Sequence, residues 1–177
     1  GYESLLTEDT GRKNVAVGFE ALKVQNSDVD NFNTAVGYQA GLGVQTGTSN
    51  TFVGGLAGAG TDDGGSNVAV GTSALSANCG SSNTAVGVSA LTISTGGTNT
   101  AFGFQAGANA TSANNNVFLG RDSGITGSPG GNVTTAGGIL CVGDENIGAA
   151  HVQVDWTVAS DARDKTDFTA LDLGLDF

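Results

Sequence analysis

Ser160 and Lys165 stand five positions apart in the stretch VDWTVASDARDKTDF, residues 154–168, and are residue types from which a nucleophile and a proton acceptor can be made. A serine hydroxyl attacks poorly until a base takes its proton, and a lysine serves as that base only when burial or nearby positive charge lowers its pKa. Arg163 supplies such charge, while Asp161 and Asp164 oppose it unless they pair with Arg163 instead. The same letters suit a capped helix start or a solvated charged linker. Other chemistry-bearing residues are few. Cys79 and Cys141 lack a second sulfur or a histidine at ligand spacing, so they read as two free structural thiols, and no metal site is expected. His151 lies in the alternating stretch AHVQVDW and reads as a strand residue. Asp28 with Asp30, and Asp62 with Asp63, supply fewer oxygens than the roughly six to eight that surround calcium, so they read as turn aspartates. Asn109 and Asn132 open N-x-Thr sequons that carry no weight without a eukaryotic secretory host. No cofactor is expected.

Charge narrows the partners. A net charge of −11 with only six Lys and Arg argues against nucleic acid and against an anionic membrane surface, because phosphate binding needs clustered cations. No run of about 18 apolar residues exists, so no membrane insertion is expected. Glycan cleavage needs a carboxylate pair in a groove with aromatic platforms, whereas the acidic residues here fall in turn-like stretches and Trp156 is solitary. Thirty glycines and 13% charged residues depart from the average, in which about a quarter of residues are charged. Disorder is disfavoured because the hydrophobic 38% recur in register. Such a chain folds by stacking.

The elements that would carry these residues are repeats. Aligned on asparagine, the chain contains NVAVGFEAL from Asn14, NTAVGYQAG from Asn33, NTFVGGLAG from Asn50, NVAVGTSAL from Asn67, NTAVGVSAL from Asn83, NTAFGFQAG from Asn99 and NVFLGRDSG from Asn116. The spacings are 19, 17, 17, 16, 16 and 17 residues. The opening GYESL matches the second half of the unit, so the chain is expected to begin inside a repeat. A unit of this length suits one turn of a β-solenoid, with a short strand after Asn that ends at Gly18, Gly37, Gly54, Gly71, Gly87, Gly103 or Gly120. The third position, Val17 through Leu119, is always large and is expected to line the core. Its neighbour on the opposite strand face is Ala in five of seven units, which implies a second face covered by another chain. The asparagines are expected to form a ladder of side-chain amides, and the glycines to take positive φ. The rod would be about 35 Å long, with the cysteines on the order of 18 Å apart along it and unable to pair. Oligomerisation would complete so thin a core. The loops, such as KVQNSDVDNF and GAGTDDGGS, are polar and form the exposed surface.

From Arg121 the period fails, and GSPGGNVTTAGG makes a junction near 124–138. Beyond it GILCVG and HVQVDWTV alternate as strands, anchored by Trp156, and would form a terminal β cap. A helix from near Asp164 would carry Phe168, Leu171 and Leu175 on one seam. The organisation expected is a repetitive rod over 1–124, a junction and cap over 125–159, and a separate segment over 160–177.

The NTAVGxxAL unit resembles the head repeat of trimeric autotransporter adhesins and, equally, repeats of phage tail fibres, over residues 1 to about 124. That resemblance implies a left-handed parallel β-roll of 16–19-residue repeats, intertwined as a homotrimer. The run WTVASDARDK, Trp156 to Lys165, is similar to the W-x(3)-S-D-x-R-x-K signature that begins the intramolecular chaperone of endosialidase-type tail spikes and fibres. In that family the C-terminal domain trimerises, guides folding of the stalk and is released by one self-inflicted cut. The resemblance implies that Ser160 is the nucleophile and site of the cut, with Lys165 as its general base and Asp161 and Arg163 in support. It further implies a virion tail fibre that meets a host cell-surface receptor, glycan or protein, and performs no turnover beyond a single autoproteolysis in its precursor. The alternative is the head of a bacterial trimeric surface adhesin with no proteolysis.

Overall fold

The computed structural model describes residues 1–8 and 11–149. Among them the chain is all-β, with no helix. One parallel sheet holds, in sequence order, β1 (Val15–Val17), β2 (Thr34–Val36), β3 (Thr51–Val53), β4 (Val68–Val70), β5 (Thr84–Val86), β6 (Thr100–Phe102), β7 (Val117–Leu119) and β8 (Leu140–Val142). Each strand is one side of a coil, so the fold is the β-solenoid that the repeats predict. The strand expected in GILCVG is β8, which sets Cys141 against Phe118 of β7 in the same parallel register as the strands before it.

Glycine ends each strand. Gly37, Gly54 and Gly71 have φ of +144°, +135° and +128°, a region that side-chain-bearing residues avoid. A Cβ on Gly37 would also meet the Gly54 carbonyl oxygen at 2.5 Å, so the column is glycine for contact as well as conformation. The chain re-enters the next strand through a left-handed residue immediately before each asparagine, such as Phe32 at +56° and Ser49 at +61°.

The asparagines form a ladder, but a different one from that expected. The backbone N–H of Asn50 donates to Asn33 Oδ1 at 2.8 Å, that of Asn67 to Asn50 Oδ1 at 2.9 Å, and that of Asn83 to Asn67 Oδ1 at 2.8 Å. The side-chain Nδ2 of each then donates to a carbonyl of the loop below: Asn50 to Gly64 at 2.9 Å, Asn67 to Gly80 at 2.9 Å and Asn99 to Ala113 at 2.8 Å. The ladder thus runs from side chain to main chain. Among the described residues, direct bonds from one ladder asparagine's side chain to the next occur only at Asn83 to Asn67 and Asn99 to Asn83, both 3.2 Å. The reason is geometric: an asparagine with its carbonyl turned to one neighbouring turn and its amide to a loop satisfies buried main-chain groups that would otherwise have no partner. Spacing is absorbed by the loops, since Asn33 reaches Asn14 across 19 residues and Ile139 reaches Asn116 across 23 with similar bonds.

The interior holds the middle residue of each strand. Ala35, Ala69, Ala85 and Ala101, with Phe52 and Phe118, have no exposed surface. They face a second wall that carries Ala21 and Leu22, Ala74 and Leu75, and Ala90 and Leu91, all fully buried. The two walls exchange volume. Where the strand brings phenylalanine, the wall retreats to glycine: a Cβ on Gly41 would meet Phe52 Cδ2 at 2.9 Å, one on Gly107 would meet Phe118 Cδ2 at 2.6 Å, and those on Gly58 and Gly124 would fall on the same two rings.

This reverses the expected faces. The large third-position residues point outward, with Val17 56% and Phe102 53% exposed, and alanine points in. A coil one strand thick has no room for a large residue on both walls, and leucine already occupies the facing one.

Phe52→Ala leaves a cavity and is expected to lower stability by about 3–5 kcal/mol. Adding Gly58→Leu should recover more than half of that loss. The position accepts left-handed leucine, since Leu22, Leu75 and Leu91 occupy it at φ near +50°, +48° and +49° in other turns. Urea unfolding of the single and double variants measures both.

Candidate interaction face

The outward face of the sheet is built from three ranks per turn. The first strand residue contributes Thr or Val, as in Thr34, Thr51 and Val68, and the third contributes Val36, Val53, Phe102 or Leu119. The residue after the strand-ending glycine contributes Phe19, Tyr38, Val88 or Phe104, each 40% exposed or more. Parallel pairing in strict register stacks these ranks at the strand separation of about 4.8 Å. Tyr2, Phe19 and Tyr38 consequently form a file, with ring centroids 5.3 and 5.4 Å apart and planes tilted by 13° and 11°. Stacking of this kind adds about 0.5–1.5 kcal/mol per pair beyond burial. Arg121 closes the rank, its guanidinium 6.0 Å from the Phe104 ring.

No carboxylate stands on these ranks between Val15 and Arg121; the acidic residues that give the chain its charge are elsewhere. A small network flanks the aromatic file. Lys23 Nζ lies 2.5 Å from Glu3 Oε2 and 2.6 Å from Glu20 Oε1, and Gln39 Nε2 donates to Glu20 Oε2 at 2.7 Å. The hydrogen bonds from Lys23 and Gln39 hold the Glu20 carboxyl below the usual carboxylate range, and those to Glu20 and Glu3 hold the Lys23 ammonium above its own.

The residues that the sequence singled out are scattered. Asp30 pairs with Lys13 at 2.7 Å, and Lys13 Nζ stands 4.9 Å from the Phe32 ring centroid. Arg12, Asp28, Val29 and Asp30 line an open cleft of about 560 Å³ under the longest early loop, where both charge signs are present. The Asp62 backbone N–H donates to Asn78 Oδ1 at 3.1 Å. Among the described residues, no three His, Cys, Asp or Glu side chains gather as a metal site, and no helix is long and apolar enough to cross a membrane. Cys79 and Cys141 are free and buried. Burial pushes the Cys79 thiol up, against a 3.3 Å contact with Thr61 Oγ1. The two sequon asparagines meet on the surface, Asn109 Nδ2 donating to Asn132 Oδ1 at 3.0 Å. Ser160, Lys165, Asp161 and Arg163, together with His151, Trp156 and the expected C-terminal helix, lie outside the described residues.

The aromatic rank is what the sequence reading missed. Its signal was the recurrence of Phe19, Tyr38 and Phe104 one place after the glycine. No family model, curated protein or solved structure matches the chain.

Glu20 binds its proton less readily in the folded chain than in the unfolded one. Its contribution to stability is therefore present above the ordinary carboxylate range and is lost as pH falls through its lowered folded value. Denaturation midpoints measured from pH 7 down to about pH 3 should fall more for the wild type than for Glu20→Gln, with the difference opening below about pH 4.5.

Proposed function

We propose that this chain is a rod segment of a trimeric fibre: a structural and adhesive protein, the distal part of a phage tail fibre that presents its loops or tip to a host cell-surface receptor. On this reading the solenoid is a left-handed β-roll of 16–19-residue repeats. Three copies intertwine, residues 125–159 cap the rod, and a short helix follows within 160–177. The observation that carries the proposal is the outward face. Its valines and aromatics stay exposed although the coil has already closed its own core of alanine, leucine and phenylalanine. A monomeric rod gains nothing from such a face, whereas a bundle of rods uses it as a seam. The polar loops on the remaining sides are the surface left to meet a receptor.

The segment from Ser160 belongs to the same reading. It is the start of an intramolecular chaperone, with Ser160 as nucleophile, Lys165 as base, and Asp161 and Arg163 in support, and it acts once in the precursor.

Two experiments test the two halves. Light scattering should give three times the chain mass for the wild type. Val36→Asp with Val53→Asp places charge on the seam without touching the core and should give a folded monomer; a folded wild-type monomer would contradict the assembly. Expressed from the complete reading frame, the wild type should lose a C-terminal piece at Ser160 by intact mass while Ser160→Ala stays whole. If both stay whole, the segment is retained and the bacterial-adhesin reading replaces the tail fibre.

A further inference from the structure

Ranks that repeat create a degeneracy. With Thr or Val at nearly every first and third strand position, two parallel copies that meet through these ranks keep almost the same contacts after slipping by one turn, about 4.8 Å. Val36 would lie beside Val53 instead of beside its own counterpart, valine against valine in both cases. In β structure, register is specified only where the pattern is broken, and a face of identical rungs breaks nothing.

The rank after the glycines does break it. Tyr2, Phe19 and Tyr38 form a raised, stacked file at one end. Gly55 and Thr72 follow as a low step two turns tall, and Val88 and Phe104, 45% and 47% exposed, raise the rank again. A one-turn slip sets Tyr38 of one copy beside Gly55 of the next, which removes an aromatic contact at one edge of the file and opens a void at the other.

Three features make a second copy the occupant of this face. Its corrugation, one rung per strand separation, is matched by another copy of the same coil. Its ranks carry no carboxylate between Val15 and Arg121, so the chain's net charge of −11 does not oppose contact there. Eight strands by five residues span about 34 Å by 16 Å, or roughly 550 Å² in projection, with Asp144 of the eighth turn at the far end of the rank after the glycines. That is of the order of the ~800 Å² each partner brings to a stable interface.

We infer that the aromatic file Tyr2, Phe19 and Tyr38, the low step at Gly55 and Thr72, and the rise at Phe104 set the register in which copies of this chain lie side by side. This rests on the assembly proposed above and adds to it a division of labour: the strand ranks hold the copies together, and the rank after the glycines tells them where to stop.

The test mixes two variants of the full chain that each carry one added outward cysteine, Thr84→Cys and Thr100→Cys, whose positions are one turn apart and paired in the sheet. A short thiol-reactive cross-linker is applied, with the two buried native cysteines retained. In the otherwise unchanged chain, cross-links between like positions should dominate. With Phe19→Val, Tyr38→Val and Phe104→Val added, cross-links between unlike positions should rise to match them at unchanged assembly mass. A second background, Gly55→Phe with Thr72→Phe, fills the step without removing apolar surface; an added Cβ at Gly55 meets nothing within 4 Å, and urea unfolding of the variant checks its fold. It too should raise the unlike cross-links. Like-position dominance that survives in the step-filling background overturns the register inference and leaves the assembly standing. A chain that forms no cross-links and has monomer mass before any aromatic is changed overturns the assembly, and the register inference with it.

Discussion

The constraint on which the rest of the structure depends is the tie between one turn and the next at the asparagine. Each strand is only three residues long, and main-chain bonds between turns continue past it, as from Gly37 N–H to the Val17 carbonyl and from Gln39 N–H to the Phe19 carbonyl, both 2.8 Å. The asparagine adds the side-chain tie at the strand's entry, its carbonyl accepting from the neighbouring turn's main chain and its amide donating to a loop carbonyl. These side chains are fully buried from Asn33 to Asn116, so a truncated one would leave main-chain donors and acceptors without partners, at a cost of about 1–3 kcal/mol for each orphaned group. Because the same bond recurs at spacings from 16 to 23 residues, the loops are free to vary while the coil keeps its pitch.

Once the pitch is fixed, side-chain size is apportioned around it. The interior is narrow, and strand and facing wall share it: alanine against leucine in some turns, phenylalanine against glycine in others. The outward face inherits the large residues that the interior cannot take. The same pitch that buries Phe52 between Gly41 and Gly58 also stacks Phe19 between Tyr2 and Tyr38, so core and surface are two readings of one period. Charge stays off these ranks because the repeat places its acidic residues either in loops, such as Asp62 and Asp63, or one position past the rank, where Glu3 and Glu20 pair with Lys23 and Asp122 pairs with Arg121.

Much of this was legible in the residues. The asparagine-aligned units gave the solenoid, the strand positions and the glycine column, because contact and conformation both demand glycine there. Alternation gave two faces but not which of them was inside. Val36 is larger and more apolar than Ala35, and by composition alone it belongs in a core. Only the leucines and glycines of the facing wall, read together with Phe52 and Phe118, show that the interior had no space for it. The direction of the asparagine bonds was likewise hidden, since it depends on loop carbonyls such as those of Gly64 and Gly80 that carry no side-chain signature. The Ser160 and Lys165 pair was legible as a motif, and its geometry lies outside the described residues.

Native-state hydrogen exchange, read by NMR at the backbone N–H of Asn33, Asn50, Asn67, Asn83, Asn99 and Asn116, tests the central tie most directly. These six amides are expected to exchange among the slowest in the chain, as a set, because each is buried and bonded to the asparagine of the adjoining turn. Exchange at the rate of exposed loop amides such as that of Ser112 would mean that the asparagines do not join the turns, and that the coil is held in some other way.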